Sequence, residues 1–201
     1  MKKYMHNYLL TLSRSGVGLD FDSVQCRYGK FTIYCLIGPE KNIVQVCFTP
    51  EKQGRVQKQL KNLNRAVTFR KQPQKKFPFD KMFADYFFGR LTKFPSATES
   101  PLIAAGTDFQ KSVWRHIGAI PYGHCITYQK LAELAGSPKG SRAAAQACGA
   151  NPVSVIIPCH RVVAANGLGG FAGGVVTKIA LLALENVGTI EQIRRTEKLH
   201  H

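Results

Sequence analysis

Residues 156–163 read Ile156-Ile157-Pro158-Cys159-His160-Arg161-Val162-Val163. An apolar run meets a proline, and a cysteine, a histidine and an arginine follow in single file. Val153, Val155, Ile156 and Ile157 are β-branched, and such a run between turn signals predicts a short buried strand. Pro158 cannot donate to a ladder, so it should end the strand and stiffen the turn. Cys159 is then expected at a strand end facing a cleft, where a thiolate can be held against a substrate carbon. A lone cysteine beside an apolar run is more often a small core residue. His160 and Arg161 next to it turn the reading toward chemistry.

Upstream, Phe109, Val113, Trp114 and Ile117 recur on one helical face. Ile120-Pro121-Tyr122-Gly123 turns the chain, and Ile126-Thr127-Tyr128 is strand-like. A helix through Leu131 and Leu134, a turn at Gly136-Ser137-Pro138-Lys139-Gly140 and a helix over 141–150 make a helix-turn-helix pattern. The second helix is nearly all small residues. Alanine favours helices intrinsically, and small side chains let a helix backbone approach a groove wall. Asn151 is expected as its left-handed cap.

Downstream, the glycine-rich stretch 165–174 is no dinucleotide loop, because the G-x-G-x-x-G spacing fails at Ala172. Glycine there should let backbone amides approach a ligand. Residues 178–186 predict a final helix with Ile179, Leu182 and Ala183 inward, and the chain from Gly188 on is polar.

The first half has a different character. Phe31 to Ile37, a Gly-Pro-Glu-Lys-Asn turn and Ile43 to Phe48 predict a hairpin. Val56, Leu60 and Leu63 mark a helix over 51–64, residues 67–69 a third strand, and 79–91 an aromatic-rich helix with Gly89 near its end. This is a small α/β unit. Residues 93–105, with two prolines, read as a linker.

The 201 residues carry 28 basic and 12 acidic side chains, a formal charge of +16. A polyanion partner, most commonly nucleic acid, is the first explanation. Yet residues 1–100 hold 18 basic against 7 acidic, a surplus of 11, while the half carrying Cys159 has a surplus of only 5. Six cysteines are scattered with no Cys-x-x-Cys pair. Cys26, Cys35 and Cys47 with His6 lack a metal-ligand spacing and read instead as strand-buried residues. His6, Asn7 and Arg14 interrupt the apolar core a signal peptide requires, and no run approaches a membrane span. A reduced, intracellular chain is expected.

The octet, with Asn151-Pro152 before it, resembles the reactive-cysteine signature of the methylated-DNA–protein-cysteine methyltransferases, the 6-O-alkylguanine repair proteins. The similarity runs from about residue 106 to 185, through Gly106-Thr107-Asp108-Phe109-Gln110-Lys111-Ser112-Val113-Trp114, Ile120-Pro121-Tyr122-Gly123 and Ile126-Thr127-Tyr128-Gln129-Lys130-Leu131-Ala132. It is fainter at Asp85-Tyr86-Phe87-Phe88-Gly89-Arg90-Leu91, which is similar to the end of the family's first domain. The resemblance implies a ribonuclease H-like α/β domain over 1–95 and a linker over 96–105. A mainly helical, winged helix-turn-helix alkyltransferase domain over 106–188 and a polar tail over 189–201 would follow. It implies a cytoplasmic, monomeric repair protein with no cofactor, metal, membrane or obligate protein partner. Its partner would be double-stranded DNA containing alkylated guanine, from which it flips the base and takes the alkyl group irreversibly, once per molecule.

Carried over residue by residue, the resemblance makes Cys159 the acceptor, His160 its base, Glu185 the acid that orients the histidine and Tyr128 the proton donor to the guanine ring. Arg142, Ala143, Gln146, Ala147 and Gly149 become the DNA-binding set, with Arg142 entering the space the nucleotide leaves. Asn151 becomes the hinge, and Phe171, Ala172 and Val162 pocket residues. Phe171 departs from the family's common tyrosine and Ala172 from the serine of some members. Neighbours on a regular strand point oppositely, so His160 needs a turn or a bridging water to serve Cys159. The alternative is a lesion-sensing or regulatory helix-turn-helix module without transfer, but such relatives lack the cysteine that is present here. A Cys-His hydrolase would need a histidine directly contacting the thiol, against which the adjacency of His160 argues.

Overall fold

The structure, a computed structural model, describes residues 2–14, 16, 18–95 and 100–187. The expected tail over 189–201 and residues 96–99 of the expected linker lie outside the described residues. The chain divides into two compact units, Met1–Thr107 with Pro152–Ser154, and Asp108–Asn151 with Val155–His201.

The first unit is a four-stranded mixed sheet with helices on its faces. Its elements are α1 (Lys2–Arg14), β1 (Asp20–Tyr28), β2 (Phe31–Ile37), β3 (Ile43–Cys47), α2 (Pro50–Leu63), β4 (Thr68–Gln72), α3 (Asp80–Phe87) and the short α4 (Pro101–Ala104). The strand order is β3-β2-β1-β4, antiparallel except for the parallel β1–β4 pair. Period-2 alternation sends Phe21, Leu36 and Val44 to one face, where they pack with Leu9, Leu12, Leu60 and Leu102. On the other face Tyr28 and Phe31 stack on Phe87 of α3, with ring centroids 5.2 and 4.9 Å apart. The hairpin and α2 lie where the pattern put them. Thr49 caps α2, its hydroxyl accepting from the Lys52 amide, with Pro50 at the first position. Cys26, Cys35 and Cys47 are buried in β1, β2 and β3 as expected. Within the stretch read as a linker, Ser100 caps α4 and Leu102 is buried.

The second unit is mainly helical: α5 (Asp108–Gly118), β5 (Ile126–Thr127), α6 (Tyr128–Leu134), α7 (Ser141–Ala150), β6 (Val162–Val163) and α8 (Val175–Leu184). Helices α5, α6 and α7 pack around Val113, Trp114, Ile117, Leu131, Ala144 and Ala147, all buried. The buried Trp114 indole donates to the Ala147 carbonyl at 2.9 Å, so its one polar atom is satisfied. β5 and β6 pair in parallel.

Three local expectations are corrected. Residues 153–157 are not a strand: Val153 makes an isolated bridge to Val46, and the chain turns at Val155, whose φ is +75°. A β-branched residue in the left-handed region is a strained exception; Val155 keeps that conformation fully buried. Tyr128 opens α6 rather than extending β5, because Thr127 caps that helix through the Lys130 amide. In α8, Lys178, Leu181 and Leu182 are buried while Ile179 is 49% exposed and Ala183 is exposed. The inward face includes a lysine, so a hydropathy pattern assigns it the wrong phase.

Candidate functional site

Cys159 opens a single 3-10 turn, Cys159–Arg161, that follows Pro158. That turn is what frees His160 from the opposite-facing geometry of a strand. Cys159 lines a pocket of about 300 Å³ with Tyr128, Ala145, Cys148, Gly149, Gly170, Phe171 and Ala172. Asn151 follows α7, with φ −51° and ψ 120°, so it is not the left-handed cap expected of it. Its buried side-chain amide donates to the Ile157 carbonyl at 2.7 Å and to Cys159 Sγ at 3.2 Å. One residue thus fixes both the approach to the cysteine and the sulfur itself.

Behind the cysteine the charged residues form one buried cluster. His160 Nε2 lies 2.9 Å from Glu185 Oε1. Arg161 donates from Nε to Glu185 Oε2 and from Nη2 to Oε1, each at 2.8 Å, and from Nη1 to the Ile120 carbonyl at 2.6 Å. Such a forked pair fixes a carboxylate in direction as well as charge. Burial, the largest influence, pulls His160 below the ordinary imidazole value of 6.5, against the opposing pull of Glu185. The imidazole is therefore neutral at neutral pH, the state a proton acceptor needs.

Tyr128 lies at the start of α6, its hydroxyl donating to the Gly170 carbonyl at 3.1 Å. Burial pushes its phenol up to about 12, so it holds its proton as a donor. Gly169, at φ +68°, allows this approach: a Cβ there would stand 2.7 Å from the tyrosine ring. Phe171 meets the edge of His160 at a centroid distance of 6.5 Å.

On α7, Arg142, Ala143, Gln146 and Gly149 share the exposed face. Ala147, expected among them, is buried, and its carbonyl accepts from the Trp114 indole. Val162, expected at the pocket, is buried in β6 and is not among the residues lining it. Three residues of the site were missed from the sequence. Arg161 stood inside the quoted octet without a role. Cys148 is a second thiol in the pocket wall. Lys178 is fully buried, and its signal was visible as the one charge in a helix whose other residues, Thr177 apart, are apolar.

A thiol in a pocket wall, next to a histidine paired with a buried carboxylate, is an arrangement that suits a cysteine nucleophile. Residues 108–187 match the family model described as "6-O-methylguanine DNA methyltransferase, DNA binding domain". A probable methylated-DNA–protein-cysteine methyltransferase of Acanthamoeba polyphaga mimivirus is 45% identical over 104 residues, 52% of this chain and 68% of that protein. The Methanosarcina acetivorans methylated-DNA–protein-cysteine methyltransferase is 48% identical over 101 residues, 50% of this chain and 62% of its own length. Among solved structures, the Mycobacterium tuberculosis O6-methylguanine methyltransferase superposes with a TM-score of 0.67 at 29% identity, covering 83% of this chain and 93% of that one. A structure of the M. tuberculosis protein in complex with DNA gives 0.66 at 27%, covering 86% and 98%. This chain belongs to the methylated-DNA–protein-cysteine methyltransferase family. Among the described residues, no helix is long and apolar enough to cross a membrane.

Proposed function

We propose that this protein repairs 6-O-alkylguanine in double-stranded DNA by moving the alkyl group to Cys159. The reading rests on one observation: Cys159 lines the pocket while the residue after it is paired to a buried carboxylate. Cys159 Sγ forms the new bond to the alkyl carbon as the bond from that carbon to the guanine oxygen breaks. The thiol proton goes to His160 Nδ1, directly or through one water, since Nε2 is engaged by Glu185. Tyr128 gives its proton to the guanine ring, so the base leaves neutral, and the proton taken up by His160 returns through water to restore the phenol. The product is a thioether, and a thioether has no hydrolytic route back. Each molecule therefore acts once and needs no cofactor.

The target carbon is inaccessible in a stacked base, so the nucleotide must leave the duplex. We read α6 and α7 as the helix-turn-helix of a winged domain over 106–188, with Arg142, Ala143, Gln146 and Gly149 toward DNA. Arg142 fills the vacated stack, and Asn151, Phe171 and Ala172 set the pocket. The sheet over 1–95 is read as ribonuclease H-like, and the protein as a cytoplasmic monomer.

The test is mass spectrometry after mixing the protein with duplex DNA containing 6-O-methylguanine. One methylene's mass gained on the peptide holding Cys159 is expected. Gain on another cysteine, or none, overturns the reading.

A further inference from the structure

Among the described residues, Lys178 is the one buried ammonium, and the transfer chemistry above does not use it. Its Nζ donates to the Val162 carbonyl at 2.6 Å and the Leu168 carbonyl at 2.5 Å, and lies 3.4 Å from the Gly170 carbonyl. The three carbonyls belong to two separate parts of the site. Val162 begins the strand that follows the Cys159 turn, and Leu168 and Gly170 begin the loop that continues into the pocket wall at Phe171 and Ala172. Nζ also stands 5.8 Å from the centre of the Tyr128 ring. Gly170 is the point where these contacts meet, since its carbonyl accepts from the Tyr128 hydroxyl as well.

That shared acceptor creates a conflict which Lys178 resolves. To donate to a base, the Tyr128 hydroxyl must leave the Gly170 carbonyl. Gly170 is exposed, so a carbonyl left without that donor would turn to solvent and the loop would lose an anchor. With an ammonium already at hand, the carbonyl keeps a donor and the loop keeps its shape. We propose that Lys178 is a positioning residue for the transfer: it pins the 168–170 loop to the Cys159 strand and takes over the Gly170 carbonyl when Tyr128 turns to the extruded guanine. Burial is the main influence lowering the ammonium from its ordinary range. Three carbonyl acceptors compensate a charge held there.

This inference rests on the proposed transfer, so the wild-type protein serves as the reference. Absence of transfer from wild type would refute that reading and not this one. The experiment is a double-mutant cycle on the full chain, with Lys178→Met, Tyr128→Phe and both together, measured as single-turnover rate against duplex concentration. Lys178→Met is expected to lower the maximal rate tenfold or more while moving the half-saturating DNA concentration less than twofold. In the Tyr128→Phe background the same change is expected to cost less than twofold, because the hydroxyl it serves is gone. Equal fold-losses in both backgrounds, or a loss confined to DNA affinity, would overturn the proposal. If Lys178→Met does not fold by circular dichroism, the cycle is run with Lys178→Arg, which keeps the charge but changes its reach. The same two outcomes then decide.

Discussion

Glu185 presents a single oxygen, Oε1, to both His160 Nε2 at 2.9 Å and Arg161 Nη2 at 2.8 Å, while its other oxygen takes Arg161 Nε. The carboxylate that orients the histidine is thus itself oriented by the next residue along the chain. Glu185→Gln removes the charge that compensates a buried guanidinium. Breaking one partner of a buried pair costs about 3–5 kcal/mol. We expect a loss of that size in urea denaturation with an unchanged m-value, together with slower transfer. A stability loss below about 1 kcal/mol would show that Arg161 finds another acceptor and that the cluster is less closed than it looks.

The neutral state of His160 gives a pH dependence with a definite sign. Its folded pKa is below the ordinary 6.5, chiefly through burial. The unfolded chain therefore binds more protons between the two values, and stability rises with pH across that window. Acidifying from 6.5 down to the folded value should destabilise the protein, with no further contribution below it. Transfer should be level above 6.5 and fall only in acid, as the base becomes protonated. The checks are denaturation and single-turnover rates from pH 5 to 8, in wild type and His160→Gln. The difference between the two proteins isolates this group from His6, His116 and His124. A slope of opposite sign would mean the imidazolium is the stabilised form.

Two thiols line the same pocket, but burial raises the Cys148 thiol well above its ordinary range. Only a thiolate attacks alkyl carbon efficiently. We expect the alkyl group on Cys159 alone, and Cys148→Ser to keep the wild-type stoichiometry of one. Cys159→Ser should abolish transfer without diverting the group to Cys148. Peptide mass spectrometry of both variants measures this directly, and alkylated Cys148 in either would refute the assignment.

Arg142 is exposed at the start of α7, on the same face as Ala143, Gln146 and Gly149. If its guanidinium fills the stack left by the extruded base, Arg142→Ala should slow transfer from duplex DNA. Lost help with unstacking is of order a few kcal/mol, and each ~1.4 kcal/mol is tenfold in rate. Tenfold or more is therefore expected on duplex, with little change on a short single strand. A phosphate contact would instead weaken all DNA binding evenly and reduce the salt slope by about one. Equal slowing on both substrates would remove the stacking role.

The linear order of the chain by itself determined the two-part organisation, the hairpin at Phe31 to Phe48, the successive helices α6 and α7 with a turn between them, and the octet around Cys159. These are short-range properties: side-chain period, turn chemistry and fixed spacing are written in neighbouring residues. It did not determine the phase of α8. Hydropathy sends lysine and glutamate outward, whereas Lys178 and Glu185 are both buried and their apolar neighbour Ile179 is half exposed. Their partners, the Leu168 and Gly170 carbonyls for one and Arg161 and His160 for the other, come from the folded chain. A run of β-branched residues likewise could not distinguish a strand from a buried turn, and Val155 at positive φ settled it. Tertiary structure decided these points because a buried charge or a strained backbone is stabilised only by groups distant in sequence, and no local pattern reports where those groups will stand.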